Sequence, residues 1–301
     1  MYIAFSDRIQ HVRLVREEPD SDISRREVPT MEKSTFIGIF LGLFALTFGM
    51  IFKGANPVYI LTNTAALTII LVGTAACIFV AFPMSDLKKL PKLFKILFTK
   101  QQLMPKTEII QLFMEWATIT RREGLLALES RVEEINDPFL RNGMRMIIDG
   151  NDQDFVRDVL LEEIHAMENR HKAGAQIFSQ AGTYAPTLGV LGAVVGLVAA
   201  LTQFNDVERL GASISAAFMA TLLGIFTGYV LWHPFANKLK MLSAKEVEMR
   251  MMMVEGLLSI QSGISSIAIN QKLSVFLPPS EREDESKKEE AMANAEKVKT
   301  A

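Results

Sequence analysis

Four stretches of this chain, residues 34–52, 54–85, 173–205 and 210–237, contain no Asp, Glu, Lys or Arg. A helix needs about 20 mostly apolar residues to cross a hydrocarbon core of ~30 Å. Each stretch reaches or approaches that length. A soluble core helix shows a charged or polar face every third or fourth position, and these stretches do not. Charge is plentiful elsewhere, because 32 basic and 34 acidic residues coexist with a hydrophobic content of 49%. The segregation of charge therefore predicts an all-α integral membrane protein with four transmembrane helices and a helical cytoplasmic domain.

The formal net charge of -2 favours no class of partner. No basic stripe with interleaved aromatics suggests nucleic-acid binding, so the expected surroundings are membrane lipid and other proteins. The single Cys77 lies within the second apolar stretch, so the chain has no internal disulfide framework. The N-terminal residues lack the apolar core of a signal peptide, and the first apolar stretch reads as an uncleaved span.

The chain divides by composition. Residues 1–30 read as a disordered N-terminal extension, and Met31-Glu32-Lys33-Ser34-Thr35 has the look of a natural beginning. Residues 31–82 hold transmembrane helices 1 and 2, with span two expected from about Thr62 to Phe82. Residues 83–180 form a cytoplasmic helical domain, and 181–234 hold transmembrane helices 3 and 4. Residues 235–277 continue span four as a cytoplasmic helical extension, and 278–301 are a disordered charged tail. Orientation follows from basic residues near the span ends. Lys88, Lys89, Lys92, Lys95, Lys100, Arg170, Lys172, Lys238, Lys240 and Lys245 fall on one side, against Lys53 and Arg209 on the other. The large loop and both termini are thus expected in the cytoplasm.

Helical stripes organise the loop. Leu87, Leu90, Phe94 and Leu97 form one; Ile109, Phe113, Trp116 and Ile119 or Thr120 form another; Phe155, Val159 and Ile164 suggest a third. Asn136-Asp137-Pro138 and Asp149-Gly150-Asn151 are turn signals between helices.

Catalytic and metal-binding patterns are weak. His165 and His171 are six residues apart and share no helical face. No glycine-rich loop is followed by Lys and Ser or Thr. An enzyme is not expected, nor is any bound cofactor or metal. The third and fourth spans are more informative. Pro186, Gly189, Ala193, Gly196 and Ala200 recur at steps of three and four, as do Ser213, Ala217, Thr221, Gly224 and Gly228. Small faces let helices approach closely in a bilayer, and ordinary helix packing accounts for them. Pro186 removes a backbone donor. Beside Thr187 and Thr221 it suggests a polar, hydrated seam. Intramembrane carboxylates are the usual carriers of ions, and the four stretches contain none. Ion conduction would require a carboxylate from another subunit.

These residues resemble the MotA-type stator subunit of the bacterial flagellar motor, in its Bacillus-like form, from about Met31 to Pro278. The matching stretches are Arg121-Arg122-Glu123-Gly124-Leu125-Leu126-Ala127-Leu128-Glu129, Ala181-Gly182-Thr183-Tyr184-Ala185-Pro186-Thr187-Leu188-Gly189, Ala220-Thr221-Leu222-Leu223-Gly224 and Trp232-His233-Pro234. The resemblance implies a multi-pass protein of the bacterial cytoplasmic membrane. It implies a homo-oligomeric ring, a pentamer, around a MotB-type dimer whose span supplies an aspartate. It also implies torque on the rotor protein FliG. By position, Arg121 and Glu129 match rotor-contact charges, placed two helical turns apart near one face. Pro186, Thr187, Ala193, Thr221 and Pro234 match the ion path and its coupling. Arg122 and Glu123 read as solvated neighbours. Sodium-driven relatives carry a threonine seven residues after the span-three proline. Ala193 stands there and offers no oxygen, so the transported ion is expected to be H+. A sodium-driven stator and an ExbB/TolQ-like energiser remain the alternatives.

Overall fold

The computed structural model describes residues 32–101, 103–202 and 205–282. The expected extension at 1–30 and residues 283–301 of the tail expected at 278–301 lie outside the described residues; the first residues of that tail, 279–282, form a helical turn instead, with the Glu281 and Arg282 amides donating to the Pro278 carbonyl. Among the described residues there is no β-strand, and four helices are long and apolar enough to cross a membrane. The all-α membrane fold expected from the charge pattern is therefore the one observed.

Helix α1 spans Lys33–Phe52. After a turn come α2, Val58–Thr62, and α3, Thr64–Ala81. The span expected at about Thr62 to Phe82 is α3, and a break separates the short α2 from it. Asn63 makes the break: its side chain accepts from the Ala66 amide at 3.1 Å and donates to the Ala216 carbonyl at 2.9 Å. The asparagine caps one helix and ties span two to span four. A π-type turn over Thr68–Val72 loosens α3 further.

Pro83 ends the span, and α4 (Met84–Leu87) with α5 (Leu90–Phe98) forms a short amphipathic stretch. Leu87 and Leu97 are buried as expected, with Leu90 and Phe94 partly so. Helices α6 (Lys106–Glu123), α7 (Glu129–Glu133) and α8 (Pro138–Ile148) follow. Asp137 caps α8 by accepting from the Phe139 and Leu140 amides, with Pro138 at the first helical position where its missing N–H costs nothing. Both expected turns, at 136–138 and 149–151, separate helices.

Helix α9, Gln153–Leu201, has 49 residues. At 1.5 Å per residue it is roughly 70 Å long, more than twice the thickness of a hydrocarbon core. Its first half is amphipathic and its second half apolar. The boundary placed at 180 therefore falls inside one continuous helix. Its core face is also rotated from expectation. Val156, Leu160, Ile164 and Met167 are buried, whereas Phe155 is 53% and Val159 37% exposed. One residue of offset turns a helix by about 100°, which carries Phe155 and Val159 out of the core.

Helix α10, Val207–Gln261, extends well past the apolar length of span four without a break, and α11 (Ser266–Leu273) closes the fold. The cytoplasmic ends of α9 and α10 pack with α6, α8 and α11 around Phe113, Trp116, Phe139, Met252 and Leu257. Arg250 joins three helices there, pairing with Glu246 at 2.9 Å and Glu163 at 3.6 Å while lying 5.0 Å over the Phe139 ring.

Within the bilayer, α9 and α10 meet backbone to backbone. A Cβ on Gly224 would sit 2.7 Å from the Ala185 carbonyl oxygen and 2.8 Å from the Gly189 Cα. One on Gly189 would lie 2.9 Å from the Ala220 oxygen, and one on Gly228 2.8 Å from the Gly182 oxygen. A Cα hydrogen points along each of these directions instead. Such Cα–H···O contacts are worth about 0.5–1 kcal/mol each. The contacting face is Gly182, Ala185, Gly189, Gly192 and Gly196 against Ala217, Ala220, Gly224 and Gly228.

Gly224→Val should therefore abolish stable accumulation of the protein in membranes. Gly211→Val, at a position with open space, should accumulate normally. Immunoblotting of membrane fractions and melting of the detergent-extracted protein check both; normal melting of Gly224→Val would contradict the packing.

Candidate functional site

Pro186 lies inside α9 without interrupting it. A helical amide at 186 would donate to the Gly182 carbonyl, and proline cannot. The oxygen left over is the one that faces the Cα hydrogen of Gly228, while the Pro186 ring packs on the same glycine, 2.7 Å from where its Cβ would be. The neighbouring helix thus partly satisfies the orphan carbonyl, as lipid requires. Close helix packing accommodates the proline.

The hydroxyls nearby bond within their own helices. Thr187 is exposed and bonds back to the Tyr184 carbonyl at 2.7 Å. Thr227, buried one turn from Gly224, bonds back to Leu223 at 2.9 Å. Such back-bonding is how a membrane helix absorbs a hydroxyl without water. Ala193 and Thr221 sit half-buried at the edge of the seam, each one residue off its contacting face at Gly192 and Ala220. Thr187, Val190, Val194 and Leu197 form an uncovered stripe on α9 beside it.

Pro234 follows a π-type turn at Thr227–Trp232. That turn shifts the hydrogen-bond ladder just before the residue that cannot join it, so α10 continues. The adjoining His233 ring lies under Gly182, 2.7 Å from where a Cβ would be. Four residues beyond Pro234, Lys238 reaches the inner end of α1. It bonds Thr35 and Ser34 and pairs with Glu32 at 3.5 Å, while the Thr35 hydroxyl donates to the Leu97 carbonyl at 3.0 Å. The Ser34 hydroxyl, with Lys238 beside it, holds the Glu32 carboxyl below its usual range. Sequence reading missed this clamp and both π-type turns. Ser34, Thr35 and Lys238 carry no sequence signal that joins them, because they are far apart in the chain.

The charged motif occupies the far end of the cytoplasmic domain's α6. Arg121 and Glu129 do not share a helix, contrary to expectation. Gly124 takes φ +85°, a left-handed value that favours glycine, and ends α6; a 3-10 turn, Leu125–Leu128, leads into α7. Arg121 therefore sits in the last turn of one helix and Glu129 in the first turn of the next. Each sign suits its helix end. Neighbouring charges are paired: Glu115 with Arg131 at 2.6 Å, and Glu133 with Arg145. Among the described residues, Arg121, Arg122, Glu123 and Glu129 form no ion pair, and all four are exposed. The structure leaves a rigid turn bearing four unpaired charges.

No group of three or more metal-ligating side chains occurs among the described residues. His165 is exposed, and His171 is half-buried with its Nδ1 3.1 Å from the Ser243 hydroxyl.

Comparison with known proteins joins these two regions. Residues 131–252 match the model of the MotA/TolQ/ExbB proton channel family. The chain is 53% identical over 252 residues to motility protein A of Bacillus subtilis, which covers 84% of this chain and 93% of that protein. It superposes on the flagellar MotAB stator complex of B. subtilis with a TM-score of 0.80 and 52% identity, over 84% of this chain and 99% of that one. The C. jejuni MotAB structure gives a TM-score of 0.78 at 32% identity, over 83% and 97%. The chain belongs to the MotA/TolQ/ExbB proton channel family, within its motility protein A group.

Proposed function

We propose that this chain is a flagellar motor stator subunit that, with a MotB-type partner, couples proton flow across the cytoplasmic membrane to torque on the rotor protein FliG. The observation that carries the reading is mechanical. Helices α9 and α10 run unbroken from the seam that holds Pro186 to the domain that presents Arg121 and Glu129. Displacement at one end is therefore delivered to the other through hydrogen-bonded backbone.

The partner follows from charge. Residues 34–52, 54–85, 173–205 and 210–237 contain no carboxylate, so the ion-binding group comes from a second subunit. The uncovered stripe of Thr187, Val190, Val194 and Leu197 suits a partner span laid beside the seam. A ring of five copies around a dimer of that partner is the assembly we favour, with both termini in the cytoplasm on the strength of the lysines that flank the spans. Pro186 and Pro234 are the bend points, since neither supplies an amide to the hydrogen-bond ladder of the continuous helix it sits in. TolQ and ExbB share the family, but four span-length helices and similarity along most of the chain to motility protein A favour the stator.

Ion identity rests on oxygen count. Sodium, a hard cation, needs several oxygen ligands in place of water, whereas a proton needs a carboxylate and a path. Ala193 supplies no oxygen where the sodium-driven pattern has a hydroxyl.

In a strain lacking its own stators, this chain with its partner should restore swimming. Arg121→Glu and Pro186→Ala should each reach normal membrane levels and retain the partner, yet swim at less than about a tenth of parental speed; exposed charge contributes little to stability. Parental speed in both variants would sink the assignment of these residues. Swimming speed at fixed pH and membrane potential should be indifferent to sodium and abolished by a protonophore. Speed that tracks sodium would overturn the proton assignment.

A further inference from the structure

The charged tip also presents one apolar side chain that the fold does not use. Leu126 is 71% exposed in the 3-10 turn between Gly124 and α7. A single exposed leucine needs no explanation in general. Here two features set it apart.

The first is rigidity. Leu128 is fully buried and Leu125 packs against the same core, which also holds Trp116 and Phe139. Gly124 fixes the other end of the turn, with its amide donating to the Thr120 carbonyl at 3.0 Å. With both flanking leucines anchored inward, Leu126 cannot turn into the core. Its outward direction is built into the turn.

The second is its rim. Arg121, Arg122, Glu123 and Glu129 lie within five residues of Leu126, exposed and without ion pairs among the described residues. The next charges on either side, Glu115 with Arg131 and Glu133 with Arg145, are paired. An apolar side chain at the centre and polar groups around it is the anatomy of a protein contact whose energy is concentrated in a dry centre. Ile267, on α11, is equally exposed at 70%, but the nearby Lys272 is already paired with Glu255 at 2.6 Å.

We infer that Leu126 is the apolar anchor of the rotor contact. It inserts into a shallow apolar depression on the rotor protein, flanked there by charges opposite to those of Arg121 and Glu129. The inference rests on the stator reading and extends it. The charges steer and register the encounter, while Leu126 supplies the desolvated contact that transmits force.

The test uses the full chain with its partner in motile cells. Leu126→Ser, Leu126→Met, Ile267→Ser and Arg121→Glu are compared by torque on beads attached to single flagella, by membrane level and by partner co-purification. Loss of a central anchor weakens a contact by about tenfold or more. Leu126→Ser should therefore lower torque at high load to about half or less, with normal membrane level and partner retention. Leu126→Met should keep most of the torque, and Ile267→Ser all of it. Parental torque in Leu126→Ser beside a crippled Arg121→Glu would overturn the anchor and leave the rotor reading standing. Loss of partner from Leu126→Ser would also overturn it, since the residue would then serve assembly. Parental torque in both Leu126→Ser and Arg121→Glu would remove the rotor reading itself.

Discussion

In hydrocarbon, apolar side chains give helices no reason to prefer one another over lipid, so the α9–α10 pair is held by contact itself. The glycines at 189, 224 and 228 allow carbonyl oxygens of the facing helix to sit where a Cβ would be. One of those oxygens, on Gly182, is the acceptor that Pro186 leaves without its amide. The proline is thus tolerable only because Gly228 stands opposite. Remove that approach and the seam opens, the orphan carbonyl meets lipid, and the two long helices lose their alignment. Everything downstream depends on that alignment, because the same helices form the framework of the cytoplasmic domain.

That dependence explains why the molecule is built from two unusually long helices rather than from a membrane domain and a separate head. A flexible linker at the membrane boundary would absorb motion. Continuous helix passes it on. The π-type turn before Pro234 and the proline at 186 are places where the hydrogen-bond ladder is already weakened, so bending is cheapest there. Lys238, just past the second of these, is tied to the start of α1 through Ser34, Thr35 and Glu32. Span one is therefore tied to the extension of span four.

Much of this was legible in the sequence, for reasons that can be stated. Charge exclusion over four stretches is a strong signal, because a bilayer penalises every exception. The small residues of the seam were visible too: Gly189, Gly196, Ala217, Gly224 and Gly228 lie on the contacting face, whereas Ala193 and Thr221 stand one residue off it. Gly189 and Gly196 belong both to the stripe through Ala193 and to the stripe through Gly192, and only packing decides between them. Phe155 and Val159 were misplaced by the same offset. The length of α9 was hidden because its pattern changes from amphipathic to apolar near Ala173 with no breaker between. Gly124 was quoted within a motif, yet its break was not anticipated, since a glycine in a helical pattern signals a break only when its φ is known. The motif's charges stood out in sequence; the exposure of Leu126 did not, because Leu125, Leu126 and Leu128 look alike until Leu128 is seen buried and Leu125 packed against the core.

On the proposed function, this chain supplies the frame and the lever while a partner supplies the ion-binding carboxylate. Proton uptake into liposomes under an imposed potassium diffusion potential tests it most directly. The chain reconstituted alone should be as tight as empty vesicles. Co-reconstituted with a single-span partner bearing an intramembrane aspartate it should conduct, and replacing that aspartate with asparagine should close the path. Proton flux through the chain alone, equal to that of the complex, would contradict the account.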